Sequence, residues 1–71
     1  MTLLTNEEKS NIVNSHIRNL EYNKYNLEIS IIEENAKNSP ATDTLSSLNA
    51  QVAEINIQLT ALAAELASLA E

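Results

Sequence analysis

From Leu45 to Ala70 the sequence reads LSSLNAQVAEINIQLTALAAELASLA, and its large apolar residues keep one spacing throughout. Leu45, Leu48, Val52, Ile55, Leu59, Leu62, Leu66 and Leu69 follow one another at steps of 3, 4, 3, 4, 3, 4 and 3. A repeat that averages 3.5 residues draws a single stripe along an α-helix, and a run of this length is the pattern of a helix packed in coiled-coil fashion. Such a stripe is unfavourable in water. A partner for it must come from the rest of the chain or from another chain.

The first half contains a match. Thr5-Asn6-Glu7-Glu8 has the form of a capping box: the Thr5 hydroxyl accepts from the Glu8 amide while the Glu8 carboxylate reaches back. Two acids in the first turn also suit the positive end of the helix dipole. Beyond it, Val13, Ile17, Leu20, Lys24, Leu27 and Ile31 recur at steps of 4, 3, 4, 3 and 4. Glu33 and Lys37, four residues apart, are placed to pair across the last turn. Glycine is absent and the single proline is Pro40, so both halves lack an internal breaker. Within the polar stretch from Asn35 to Thr44, Ser39-Pro40 fits an N-cap followed by proline at the first helical position, with Thr42 a competing N-cap.

These signals predict one all-α domain over residues 1–71. Helix one spans about residues 6–37, the connection about 38–42 and helix two about 43–70. A short link between helices of similar length makes an antiparallel two-helix hairpin of coiled-coil type. Folding about residues 39 and 40 makes the numbers of facing residues sum to about 79. Ile31 then meets Leu48, Leu27 meets Val52, Leu20 meets Leu59, Ile17 meets Leu62 and Val13 meets Leu66. The remaining layer sets Lys24 against Ile55. A lysine there either fixes register or lays its stem along the seam with its ammonium toward Glu21 or Glu28.

Each helix carries a second row. On helix two it is Ala50, Ala53, Ile57, Thr60, Ala64 and Ala67; on helix one it is Tyr22, Tyr25, Ile29, Ile32 and Ala36. At about 100° per residue these rows lie roughly 150° from the first seam. A lone hairpin leaves both in water, which marks them as a partner interface and predicts assembly into a multi-helix bundle. The reverse assignment, with leucines between subunits and alanines within the hairpin, satisfies the same pattern. A chain of 71 residues with no cysteine also lacks disulfide support, so a homo-oligomer is the expected way to stabilise it.

Little chemistry is visible. His16 is the single histidine and has no acid at ligand spacing, so neither a metal nor a cofactor site is expected. Glu7-Glu8 and Glu33-Glu34 are adjacent pairs that diverge by about 100° on a helix and read as solvated charge. The serines lack a positioned base, and no glycine is present for a phosphate loop or nucleophile elbow. No catalytic residue is assigned and an enzyme is not expected. Ten acids against four bases, net −6, disfavour a nucleic-acid partner. The most apolar run, Leu59 to Ala70, carries Glu65 and is short for a bilayer span, and helix two lacks the basic and aromatic residues of a membrane-surface helix. With no signal-peptide pattern after Met1, the expectation is a soluble protein of the cytoplasm of the expressing cell.

The stretches LTNEEKSNIVNSHIRNLEYNKYNLEISIIEENAKNSP and SLNAQVAEINIQLTALAAELASLAE resemble small uncharacterised coiled-coil proteins encoded by marine tailed phages. The likeness rests on the NEEK opening, the NLEYNKYNLE run and the closing leucine–alanine helix. It implies a viral origin and carries no functional residues, because those proteins have no established motif. The resulting expectation is a non-enzymatic structural or accessory protein, virion-associated or active in assembly. The alternative is a small adaptor that binds a host or viral protein through Tyr22, Tyr25, Ile29 and Ile32.

Overall fold

The structure, a computed structural model, describes residues 3–70. It is an all-α hairpin of two helices, α1 (Asn6–Asn35) and α2 (Thr42–Leu69). The molecule measures 58 × 19 × 15 Å, an elongated rod of two paired helices. The helices run antiparallel over their whole length, and at the open end the Asn6 side-chain amide donates to the Leu69 carbonyl at 3.3 Å.

α1 begins where its capping box places it. The Glu8 amide donates to the Thr5 hydroxyl at 3.1 Å, and the Thr5 amide donates to the Glu8 carboxylate at 3.0 Å. At the other end, α1 stops at Asn35, two residues short of the expected end. The Lys37 amide donates to the Glu34 carbonyl at 3.2 Å, a bond three residues back that tightens the last turn and ends the helix.

The start of α2 departs from both expected caps. Ser39 is not the N-cap and Pro40 is not the first helical residue; Ala41 is the cap, with φ −81° and ψ 112°, and no side chain caps the helix. Ala41 remains extended, so the first helical residue is Thr42. The Leu45 amide then donates to the Ala41 carbonyl at 3.0 Å and closes the first turn. The chain reverses without a positive φ angle among the described residues, consistent with its lack of glycine.

The half-buried residues of α2 are Leu45, Leu48, Val52, Ile55, Leu59, Leu62, Leu66 and Leu69, and no others. On α1 they include Val13, Ile17, Leu20, Lys24, Leu27 and Ile31, with Ser10 continuing the row toward the N-terminus. Helix–helix packing therefore falls on the row with 3–4 spacing in both halves. Recesses between the helices give the register: Leu20 lies beside Gln58 and Leu62, and Leu27 beside Gln51 and Ile55.

Leu20 and Leu59 should therefore share a layer. Leu20→Ala and Leu59→Ala are each expected to cost about 1 kcal/mol, half the value of full leucine burial. That loss lowers Tm by about 4–8 °C for a domain of this size. In a double-mutant cycle this pair should couple by about 0.5 kcal/mol or more, whereas Leu20 and Leu48, several turns apart, should be additive. Coupling to Leu48 instead would contradict the register.

Candidate interaction surfaces

Inside the seam, Lys24 is half-buried at the level of Ile55. Its ammonium forms no ion pair with Glu21 or Glu28; the one ion pair among the described residues joins Lys37 to Glu34. Around the seam, no hydrophobic side chain among the described residues is fully buried. One helical neighbour shields only one side of each leucine.

The second rows lie on the two outer edges of the rod. Tyr22, Tyr25 and Ile32 are each 63% exposed on α1, and Ile57 is 65% exposed on α2. Ile29 is half-buried among its own neighbours, while Ala36, Ala50, Ala53, Thr60, Ala64 and Ala67 are exposed. The Arg18 guanidinium carbon sits 5.6 Å from the centre of the Tyr22 ring, a cation–π contact that fixes both side chains along the α1 edge. Arg18, Glu21, Tyr22 and Tyr25 together line a shallow recess there.

The broad faces of the rod are polar along most of the described length, with an apolar recess beside Leu20, Ala61 and Leu62. On one, Asn23, Asn26 and Ser30 of α1 and Gln51, Glu54 and Gln58 of α2 surround a recess whose floor is Leu27 and Ile55. Helical periodicity puts Glu21, Glu28, Asn49 and Asn56 along the other flank of the seam, all exposed. The amide-lined recess was not anticipated from the sequence, because its residues alternate between helices and become neighbours only in the antiparallel register.

Glu34 was also missed. It is 7% exposed, and it is the buried polar residue of the described chain. The pair Glu33-Glu34 is therefore not uniformly solvated: Glu33 is exposed and Glu34 faces inward. One carboxylate oxygen accepts from the Lys37 ammonium and the other from the Ala41 amide, both at 3.0 Å. Lys37 thus pairs with Glu34 rather than with Glu33. The signal was present, since three residues beyond Ile31 the seam spacing lands on Glu34. Its carboxylate accepts from the amide of the cap residue Ala41 itself and sets negative charge near the N-terminus of α2, while no side chain caps the first amides of the helix. The Ala41 hydrogen bond first, and the Lys37 contact second, hold its carboxyl below the usual glutamate range. The capping bonds from the Thr5 backbone and hydroxyl do the same for Glu8.

Elsewhere the polar groups are engaged locally. The Ser15, Ser30 and Thr60 hydroxyls donate to carbonyls four residues back, at 3.1, 3.1 and 2.9 Å. His16 is exposed, beside Leu20, Gln58, Ala61 and Leu62. No group of three metal-ligating side chains converges among the described residues. α2 as a whole, 28 residues with a best 18-residue window of mean hydropathy 1.2, is long and apolar enough to cross a membrane, which the twelve-residue run considered in the sequence understates. No protein-family model matches the chain, and no curated protein or solved structure is significantly similar to it.

The Glu34 contacts give a pH signature. A carboxyl whose pKa is depressed by folding adds stability above its unfolded value, about 4.3 for glutamate, and that stability is lost as pH falls through the lower folded value. Glu34→Gln should lower Tm at pH 7, and its deficit relative to the parent chain should shrink steadily below about pH 4. Thermal melts by circular dichroism at several pH values check this, and a deficit independent of pH would contradict it.

Proposed function

We propose that this chain is a non-enzymatic helical hairpin that self-associates through its outer rows and serves a structural or accessory role, in a phage virion or its assembly. The observation that carries the reading is the exposure of Tyr22, Tyr25, Ile32 and Ile57 on a hairpin with no fully buried apolar residue among those described. The hairpin has 5408 Å² of accessible surface, against about 4,400 Å² for a compact monomer of 7.8 kDa. The excess goes with the elongated 58 × 19 × 15 Å shape, and packing further helices along the rows reduces it. The phage setting rests on the resemblance of the NEEK and NLEYNKYNLE segments.

Solubility belongs to the same proposal. The leucine row of α2 lies on α1, and Glu54 and Glu65 are exposed on α2. A bilayer would have to accommodate these charges together with Asn49, Gln51, Asn56 and Gln58.

A second reading, an adaptor that docks a viral or host protein on the α1 edge, is favoured by the exposed tyrosines beside Arg18, residue types enriched at binding hot spots. Light scattering coupled to size exclusion, in detergent-free buffer, separates the two. The parent chain should elute as an oligomer at micromolar concentration, and Tyr25→Ser with Ile29→Ser should reduce it to a monomer. An intact oligomer in the double variant, with loss of captured partners, would favour the adaptor. A parent chain that is a stable monomer would contradict self-association.

A further inference from the structure

We infer that the buried Glu34 carboxylate is a latch on the closed end: it keeps α1 paired with α2 of its own chain instead of with α2 of a second copy. This follows from the hairpin alone and is independent of association through the outer rows.

The seam cannot make that choice. Its contacts come from Val13 through Ile31 of α1 and Leu45 through Leu69 of α2, and a second copy offers the same two rows. An exchanged dimer, with α1 of each chain on α2 of the other, keeps every layer of the seam. It also keeps the bond at the open end, where the Asn6 side-chain amide donates to the Leu69 carbonyl. Closed and exchanged forms therefore differ only in the link, residues 36–41, and in what holds it bent.

Little holds it bent. The link has no glycine and no positive φ angle, so no tight turn residue enforces the reversal. Pro40 favours extended backbone at Ser39, which a straightened link keeps. The bond from the Lys37 amide to the Glu34 carbonyl lies on the α1 side, and that from the Leu45 amide to the Ala41 carbonyl lies on the α2 side. One hydrogen bond among the described residues joins the two ends of the link: the Ala41 amide donates to the Glu34 carboxylate, seven residues earlier, at 3.0 Å. The other carboxylate oxygen accepts from the Lys37 ammonium, also at 3.0 Å, which fixes the acceptor in place.

Glu34 occupies the seam layer of Leu45 and is 7% exposed. A hydrophobe there would extend the apolar row and need no partner, whereas a buried carboxylate must be hydrogen-bonded. A polar residue in one buried layer of a coiled coil fixes which arrangement forms, at some cost in stability. Here the directed bond requires a bent link. In a straightened chain Ala41 lies up to about 23 Å from Glu34, beyond the reach of the side chain. The bond therefore favours the closed form specifically.

The test places cysteines across the seam, in a chain that has none of its own. Asn23→Cys and Gln58→Cys lie on different helices, line one recess and are both exposed, so they leave the apolar seam intact. The chain carrying both is unfolded in urea, refolded at about 1 mM, the effective concentration typical of a short link, and then diluted to the micromolar range. A bismaleimide spanning the about 8–10 Å between packed helices joins the two cysteines. A product within one chain reports the closed form, and a covalent dimer on a denaturing gel reports exchange. Association through the outer rows leaves both cysteines across the seam of one chain, so its presence or absence does not alter the reading.

With Glu34 in place, the within-chain product should dominate. Glu34→Gln and Glu34→Leu should each raise the ratio of dimer to within-chain product about tenfold or more, the equivalent of one charge-assisted hydrogen bond. Glu34→Leu should also melt above Glu34→Gln, because it extends the apolar row beside Leu45. Raised exchange in both variants, at different stabilities, would assign the effect to the lost carboxylate. An unchanged ratio in the leucine variant, or a ratio that merely follows Tm, would overturn the latch. A parent chain that already exchanges freely would overturn it too. Circular dichroism confirms the helicity of each variant.

Discussion

Apolar side chains stand on two nearly opposite sides of each helix, and a single helical neighbour shelters only one of them. Intramolecular pairing settles the first side. Leu45 through Leu69 lie along α1, and Val13 through Ile31 lie along α2, in one continuous seam. The sheltering is partial even there, because a two-helix rod has no third element to close over its leucines. Small chains generally need an additional source of burial or a staple, and this one has no cysteine to supply the latter.

The direction of the bend depends on polar chemistry at the closed end. A chain without glycine reverses between Asn35 and Thr42 with its cap residue an alanine, so the start of α2 has no side-chain acceptor of its own. Glu34, in the last turn of α1, instead ties down the amide of the cap residue Ala41, while Lys37 balances its charge. The carboxylate occupies what would be the next apolar layer of the seam, beside Leu45. That substitution of a charge for a hydrophobe is consistent with a hairpin geometry specified by one directed interaction as well as by the general preference for burial.

Helix type, number, direction and seam were legible in the sequence because all four follow from spacing: 3–4 steps in each half, a polar interval around Pro40, and a capping box at Thr5. The closed end was less legible. Ser39-Pro40 and Thr42 both carried local cap signals, yet the deciding group, Glu34, lies seven residues before the amide it accepts from. Local patterns do not contain that contact. Extending the seam by one step past Ile31 would have found the buried position, but a carboxylate there argues against burial unless its partners are known. The amide-lined face was hidden for a similar reason, since Asn23 and Gln58 become neighbours only after the fold exists.

The hairpin presents apolar rows on its two edges, largely polar broad faces and a length of 58 Å. The central claim is that covering those edges contributes to stability, so folding and association must be linked by mass action. Thermal unfolding followed by circular dichroism from about 1 to 300 µM tests it most directly. The account predicts a Tm that climbs steadily with concentration. A Tm unchanged across that range, with the chain monomeric throughout, would contradict it.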